Sequence, residues 1–109
     1  MTLDVPEPIA AYLAAEERKD AQALANCFAE DGTVHDEGQL YRGRDAIRQW
    51  MEGADAKYHY VLKTLSARAQ GNKVTVRARV TGDFPGSPLE MDHFFTISDN
   101  KIASLEIHS

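Results

Sequence analysis

Residues 73 to 84 read Lys-Val-Thr-Val-Arg-Ala-Arg-Val-Thr-Gly-Asp-Phe, with Val74, Val76, Ala78 and Val80 alternating with Thr75, Arg77, Arg79 and Thr81. A two-residue period sends the two sets to opposite faces, so the segment reads as a strand with one apolar and one polar side. An apolar side has to be covered. The rest of the chain supplies both possible covers, further strands and helices with an apolar stripe.

Residues 6 to 17 predict a first helix. Pro6 and Pro8 suit its opening turn, and Ile9, Tyr12, Leu13 and Glu16 follow at helical spacing. Asp20 stands where an N-cap would begin a second helix, striped by Ala21, Leu24, Ala25 and Phe28. "EDG" at 30–32 reads as a stop and turn, and "TVHD" at 33–36 as a short strand. After a loop, "GRDAIRQWMEGA" predicts a third helix with Ile47, Trp50, Met51 and Ala54 on one face. Strands are then expected over 58–69, over 73–84, in "LEMDHFFTI" and in "KIASLEIH", separated by "QGN", "PGSP" and "SDN". Helices followed by an antiparallel meander predict an α+β fold, with three N-terminal helices packed on one face of a curved, mainly antiparallel sheet. Its interior is cone-shaped, and stays a pocket where small residues line the deep end.

The bulk numbers bound the function. The chain of 109 residues is enough for one domain, taken as 1–109. Its formal charge of −5 argues against nucleic acid, whose phosphates are met by Lys and Arg. Arg42, Arg44 and Arg48 are interspersed with acids. No apolar run approaches the roughly 20 residues of a membrane span, and the N-terminus shows no basic region ahead of an apolar stretch, so a cytoplasmic protein is expected. Cys27 is the only cysteine and reads as a small buried hydrophobe. His35, His59, His93 and His108 show no metal-ligand spacing, so no metal is expected.

The order helix, helix, "FAEDGTVHD", "YRGRDAIRQW", meander resembles the nuclear-transport-factor-2-like superfamily, in its SnoaL-like and ketosteroid-isomerase-like branch. The resemblance spans essentially the whole chain and implies the cone-shaped fold. Tyr12 and Asp36 look like the oxyanion-hole tyrosine and the catalytic aspartate of bacterial ketosteroid isomerases, and "MDHFF" at 91–95 looks like the strand carrying their second aspartate, which would be Asp92. Ketosteroid isomerase is also a worked example of carboxyl tuning, one Asp acting as base and a Tyr with a protonated Asp as donors. The resemblance implies acid–base (enolisation) chemistry on a small apolar carbonyl compound, isomerase-like or cyclase-like, without a cofactor. Asp36 would be the base, Tyr12 and Asp92 the donors, and Phe28, Trp50, Tyr58, Val76, Phe94, Leu105 and Ile107 the pocket wall. The alternatives are a non-catalytic small-molecule-binding module, a dimeric interaction domain with a filled cone, and a dehydratase-like role for one His with Tyr58 or Tyr60.

Strand parity pulls against one part of this. In residues 89–97, Leu89, Met91, His93, Phe95 and Ile97 share one face, and Glu90, Asp92, Phe94 and Thr96 the other. Hydrophobicity sends the odd set inward and leaves Asp92 outside, free to pair with Arg77 or Arg79. The resemblance sends Asp92 and Phe94 inward, leaves an apolar outer face, and so implies a homodimer through that face.

Overall fold

The computed structural model describes residues 5–108. Helix α1 spans Glu7–Arg18 and opens at Pro6, and it buries Ile9, Tyr12, Ala15 and Glu16 on one stripe. Helix α2, Ala21–Asn26, is capped by Asp20, whose Oδ1 accepts from the Ala23 N–H over 3.1 Å. Helix α3, Arg44–Tyr58, buries Ile47, Trp50 and Met51. The strands are β1 (Phe28–Asp36), β2 (Gln39–Arg42), β3 (Val61–Gln70), β4 (Lys73–Thr81), β5 (Leu89–Ser98) and β6 (Lys101–His108). They form one sheet in the order β2-β1-β6-β5-β4-β3, antiparallel except for the β1–β6 pair. The expected α+β architecture is therefore present: three helices packed on a curved, open, mainly antiparallel sheet.

Five features differ from the sequence reading. Phe28 opens β1 instead of closing α2. "EDG" does not end an element but lies inside β1, where the pairing with β6 shifts between Phe28 and Thr33. The stretch read as a loop holds β2, joined to β1 by a two-residue turn at Glu37 (φ 53°) and Gly38 (φ 75°). Two consecutive positive φ values match the twist of an antiparallel pair, and a glycine makes the second inexpensive. Tyr58, expected on a strand, is the last residue of α3, and β4 stops at Thr81 rather than running to residue 84.

The core lies between the helices and the inner face of the sheet. Tyr12 packs edge-on against Phe28 and Phe95, with ring centroids at 6.1 and 5.2 Å. Val74 and Val76 of β4 belong to the same buried cluster, and Ala78 is buried as well, as the alternation requires. Among the described residues, no helix is long and apolar enough to cross a membrane.

Candidate active site

Residues at the wide end of the cone leave a half-open hollow of about 90 Å³. Asp36 enters it because it is the last residue of β1 and shares parity with buried Val34. Tyr12 enters from α1, Trp50 and Tyr58 from α3, and Tyr60 from the segment after α3. The sheet supplies the floor: Leu62, Val80, Met91, His93 and Ile107.

The carboxyl of Asp36 sits between apolar wall and solvent. Burial raises it from its ordinary value, while the Trp50 indole, donating to Oδ2 over 3.0 Å, pulls it partly back. Tyr12 is buried, and desolvation, with Glu16 nearby, pushes its hydroxyl well above the ordinary phenol. It keeps its proton and is a donor. Glu16 lies one helical turn beyond Tyr12 and is only 3% exposed. Burial raises it too, offset by the Tyr60 hydroxyl and by the Lys19 ammonium at 3.4 Å. At the mouth the Tyr58 hydroxyl donates to Glu37 Oε1 over 3.0 Å.

Of the expected site residues, the structure brings Asp36, Tyr12, Trp50, Tyr58 and Ile107 to one hollow. Asp92 is not with them. Parity places it on the outer face, where its Oδ1 accepts from Arg77 Nη1 over 3.0 Å. Phe94 shares that face and is 41% exposed. Hydrophobic alternation decides the matter: turning Asp92 inward would expel His93 and Phe95 from the interior. Phe28, Val76 and Leu105 are buried in the core, away from the hollow's lining. On that face Arg77, Arg79, Glu90 and Asp92 are joined by ion pairs, while Met91, Phe95 and Ile97, which an inward Asp92 would have put there, point inward instead.

Three polar residues that line the hollow stood outside the expected catalytic set: Glu16, and Tyr60 and His93, which figured only in the dehydratase-like alternative. Glu16 had a signal, because its spacing from Ile9 and Tyr12 puts it on the buried stripe. His93 had one as well, the odd parity of β5. Tyr60, expected on a strand with Tyr58, lies in the short link between α3 and β3. Among the described residues, no group of three His, Cys, Asp or Glu side chains is arranged to hold a metal ion.

A model of the SnoaL-like domain matches residues 9–105 of the chain. The chain belongs to the SnoaL-like domain family. A Sinorhizobium meliloti protein provisionally described as a polyketide cyclase has a structure similar to this SnoaL-like domain, at 41% identity over 96% of both chains and a TM-score of 0.93. A Catenulispora acidiphila protein with a ketosteroid-isomerase-like fold, solved in complex with trimethylamine, is 27% identical over 97% of this chain and 87% of that one, with a TM-score of 0.84. An NTF2-like protein from Cytophaga hutchinsonii shares the fold at 14% identity, over 99% and 91% of the two chains and a TM-score of 0.80. No curated protein matches the chain in sequence.

Proposed function

We propose that the hollow binds a small apolar carbonyl compound and carries out acid–base chemistry on it, isomerase-like or cyclase-like, with Asp36 as the base and Tyr12 as a donor to the oxygen. One observation carries this reading. A carboxyl made more basic by burial and a buried phenol that keeps its proton line the same hollow. Removing a proton beside a carbonyl needs that division of labour, a base at the carbon and donors where charge develops. The Sinorhizobium relative's cyclase description supports the same class. The extra acid, Glu16, works against an enolate, and Lys19 at 3.4 Å offsets it.

The test needs no known substrate. Small cyclic ketones and 1,3-diketones are incubated in D2O, and loss of their α-hydrogen signal is followed by proton NMR. Wild-type protein should accelerate exchange, and Asp36→Asn should remove about 100- to 10,000-fold of that acceleration. No exchange above background across the panel would overturn the reading.

A second reading has its own support. Glu16, Asp36 and Glu37 line the hollow beside the aromatic faces of Trp50, Tyr58 and Tyr60, a combination that suits a small ammonium ion. The Catenulispora relative was solved with trimethylamine. Under this reading the domain binds without turnover. Asp36→Asn separates the two, tightening phenolate binding if Asp36 is the base and weakening amine binding if it is a counter-ion.

A further inference from the structure

His93 is 3% exposed, lines the hollow, and is not used by the chemistry above. Its Nδ1 is the one buried side-chain nitrogen or oxygen, among the described residues, with no hydrogen-bond partner. A polar ring in that position has a desolvation cost that the nearby Met91 and Val76 backbone groups offset only in part. Structural histidines inside a core normally satisfy both nitrogens.

Strand register fixes its place. His93 is paired with Val76 on one side and Ile107 on the other. One residue beyond the His35–Glu106 pairing, Asp36 comes level with Ile107. Asp36, Ile107 and His93 therefore form a row across the inner face, the two end residues separated by two strand spacings, about 10 Å. Ile107 is an apolar floor between two polar ends. A small ring lying on it has one edge toward the carboxyl and the other toward the imidazole.

The ring is held in that orientation. It stacks on Phe95, with centroids 6.4 Å apart and planes 19° apart, and Tyr12 packs edge-on against the same Phe95. One aromatic side chain thus positions both Tyr12 and His93. A neutral ring carries one hydrogen, and on Nε2 that hydrogen is free to meet a ligand. With Nδ1 sealed, the edge that reaches the hollow is the one bearing that N–H.

We propose that His93 is a catalytic residue of the hollow, donating its Nε2–H to the ligand's oxygen opposite Asp36 and filling the place that Asp92 does not reach. The inference rests on the acid–base reading. In the step it serves, Asp36 takes the α-proton, the C–H pair becomes the carbon–carbon double bond, and the carbonyl π pair moves to oxygen. Tyr12 and His93 hydrogen-bond that oxygen without giving up their protons. Burial holds the imidazole down at about 4, so it is neutral at physiological pH and donates as a dipole.

The test uses 4-nitrophenolate as an enolate mimic and nitrobenzene as the counterpart that lacks the phenolate oxygen, on the full chain carrying Asp36→Asn. That substitution should by itself tighten the phenolate relative to wild type, by removing a like charge. Adding His93→Phe should then weaken 4-nitrophenolate about 10- to 100-fold and nitrobenzene less than about threefold. In a second arm His93 is unchanged, and nitrogen-15 NMR should show its Nε2 resonance move on adding phenolate, with the ring still neutral. Equal weakening of both probes, or a static Nε2 resonance, overturns the role of His93 while leaving Asp36 as base. Failure of Asp36→Asn to tighten the phenolate sinks the acid–base reading and the proposal with it.

Discussion

Trp50 donates its indole N–H to Asp36 Oδ2 over 3.0 Å, joining helix α3 to the end of strand β1 across the hollow. The bond does two things at once: it fixes the carboxyl's orientation, and it opposes the burial that makes the carboxyl basic.

Replacing Trp50 with Phe keeps most of the apolar wall and removes the donor. A hydrogen bond to a charged group contributes about 1.5 kcal/mol, so the Asp36 midpoint should rise by about one pH unit. Carbon-13 NMR titration of the Asp36 carboxyl measures it. The sign for stability follows from a folded-state value already above the unfolded one. Protonated Asp36 favours the fold, and that contribution is lost as pH rises through the folded midpoint. Trp50→Phe should therefore lose more stability relative to wild type at neutral pH than in acid. An unmoved midpoint would show that the bond is not formed in solution.

The parts of this fold legible in sequence are those written by periodicity. The alternation of residues 74–80 and the stripe Ile9, Tyr12, Glu16 each fix which side chains face inward. The short pieces were not legible. Strand β2 has only four residues, and its turn uses Glu37-Gly38 in place of the Asn-Gly that marks such hairpins most strongly. Phe28 fits a helical stripe and a strand equally well when one residue decides between them. Asp92 is the instructive case. A motif likeness pointed inward and local alternation pointed outward, and alternation was right because a strand cannot turn one side chain without exposing its neighbours.

Asp92 on the outer face makes a plain prediction. Its pair with Arg77 is partly exposed, and Arg77 retains Glu90 at 3.0 Å when Asp92 is lost. Asp92→Asn should cost less than about 1 kcal/mol in urea unfolding. It should leave 4-nitrophenolate binding within about twofold of wild type. A loss of about tenfold or more would mean that the strand presents its other face to the ligand.

Gly82 is tied to the site through backbone. A Cβ there would lie 2.7 Å from the Tyr58 carbonyl oxygen and 3.0 Å from the Tyr60 Cα, neither of which is the free end of a flexible side chain. Gly82→Ala should therefore cost about 1–3 kcal/mol, typical of forced overpacking. It should also displace Tyr58 and Tyr60, which line the hollow, so ligand affinity should fall more than in a variant of equal stability elsewhere. Unfolding curves paired with probe titrations check both parts, and an unchanged stability would contradict the close approach.

His93 gives the fold a distinct response to acid. Burial holds its imidazole at about 4, against an ordinary 6.5, so between those values the unfolded chain binds a proton that the folded chain refuses. The stability from the neutral ring is present in full above about pH 6.5 and drains away as pH falls toward about 4, at about 1.4 kcal/mol per pH unit and about 3 kcal/mol in all. Asp36 and Glu16 act in the opposite sense, since burial raises both and acid relieves the penalty on their charged forms. Comparing wild type with His93→Gln cancels those two contributions, because both proteins retain them. From about pH 7 to pH 4 the wild type should lose about 3 kcal/mol relative to the variant in urea unfolding. Parallel curves would mean that His93 titrates normally in the folded protein. A ring charged at mildly acid pH is not the neutral donor assigned to the hollow, so the same result would also count against that role.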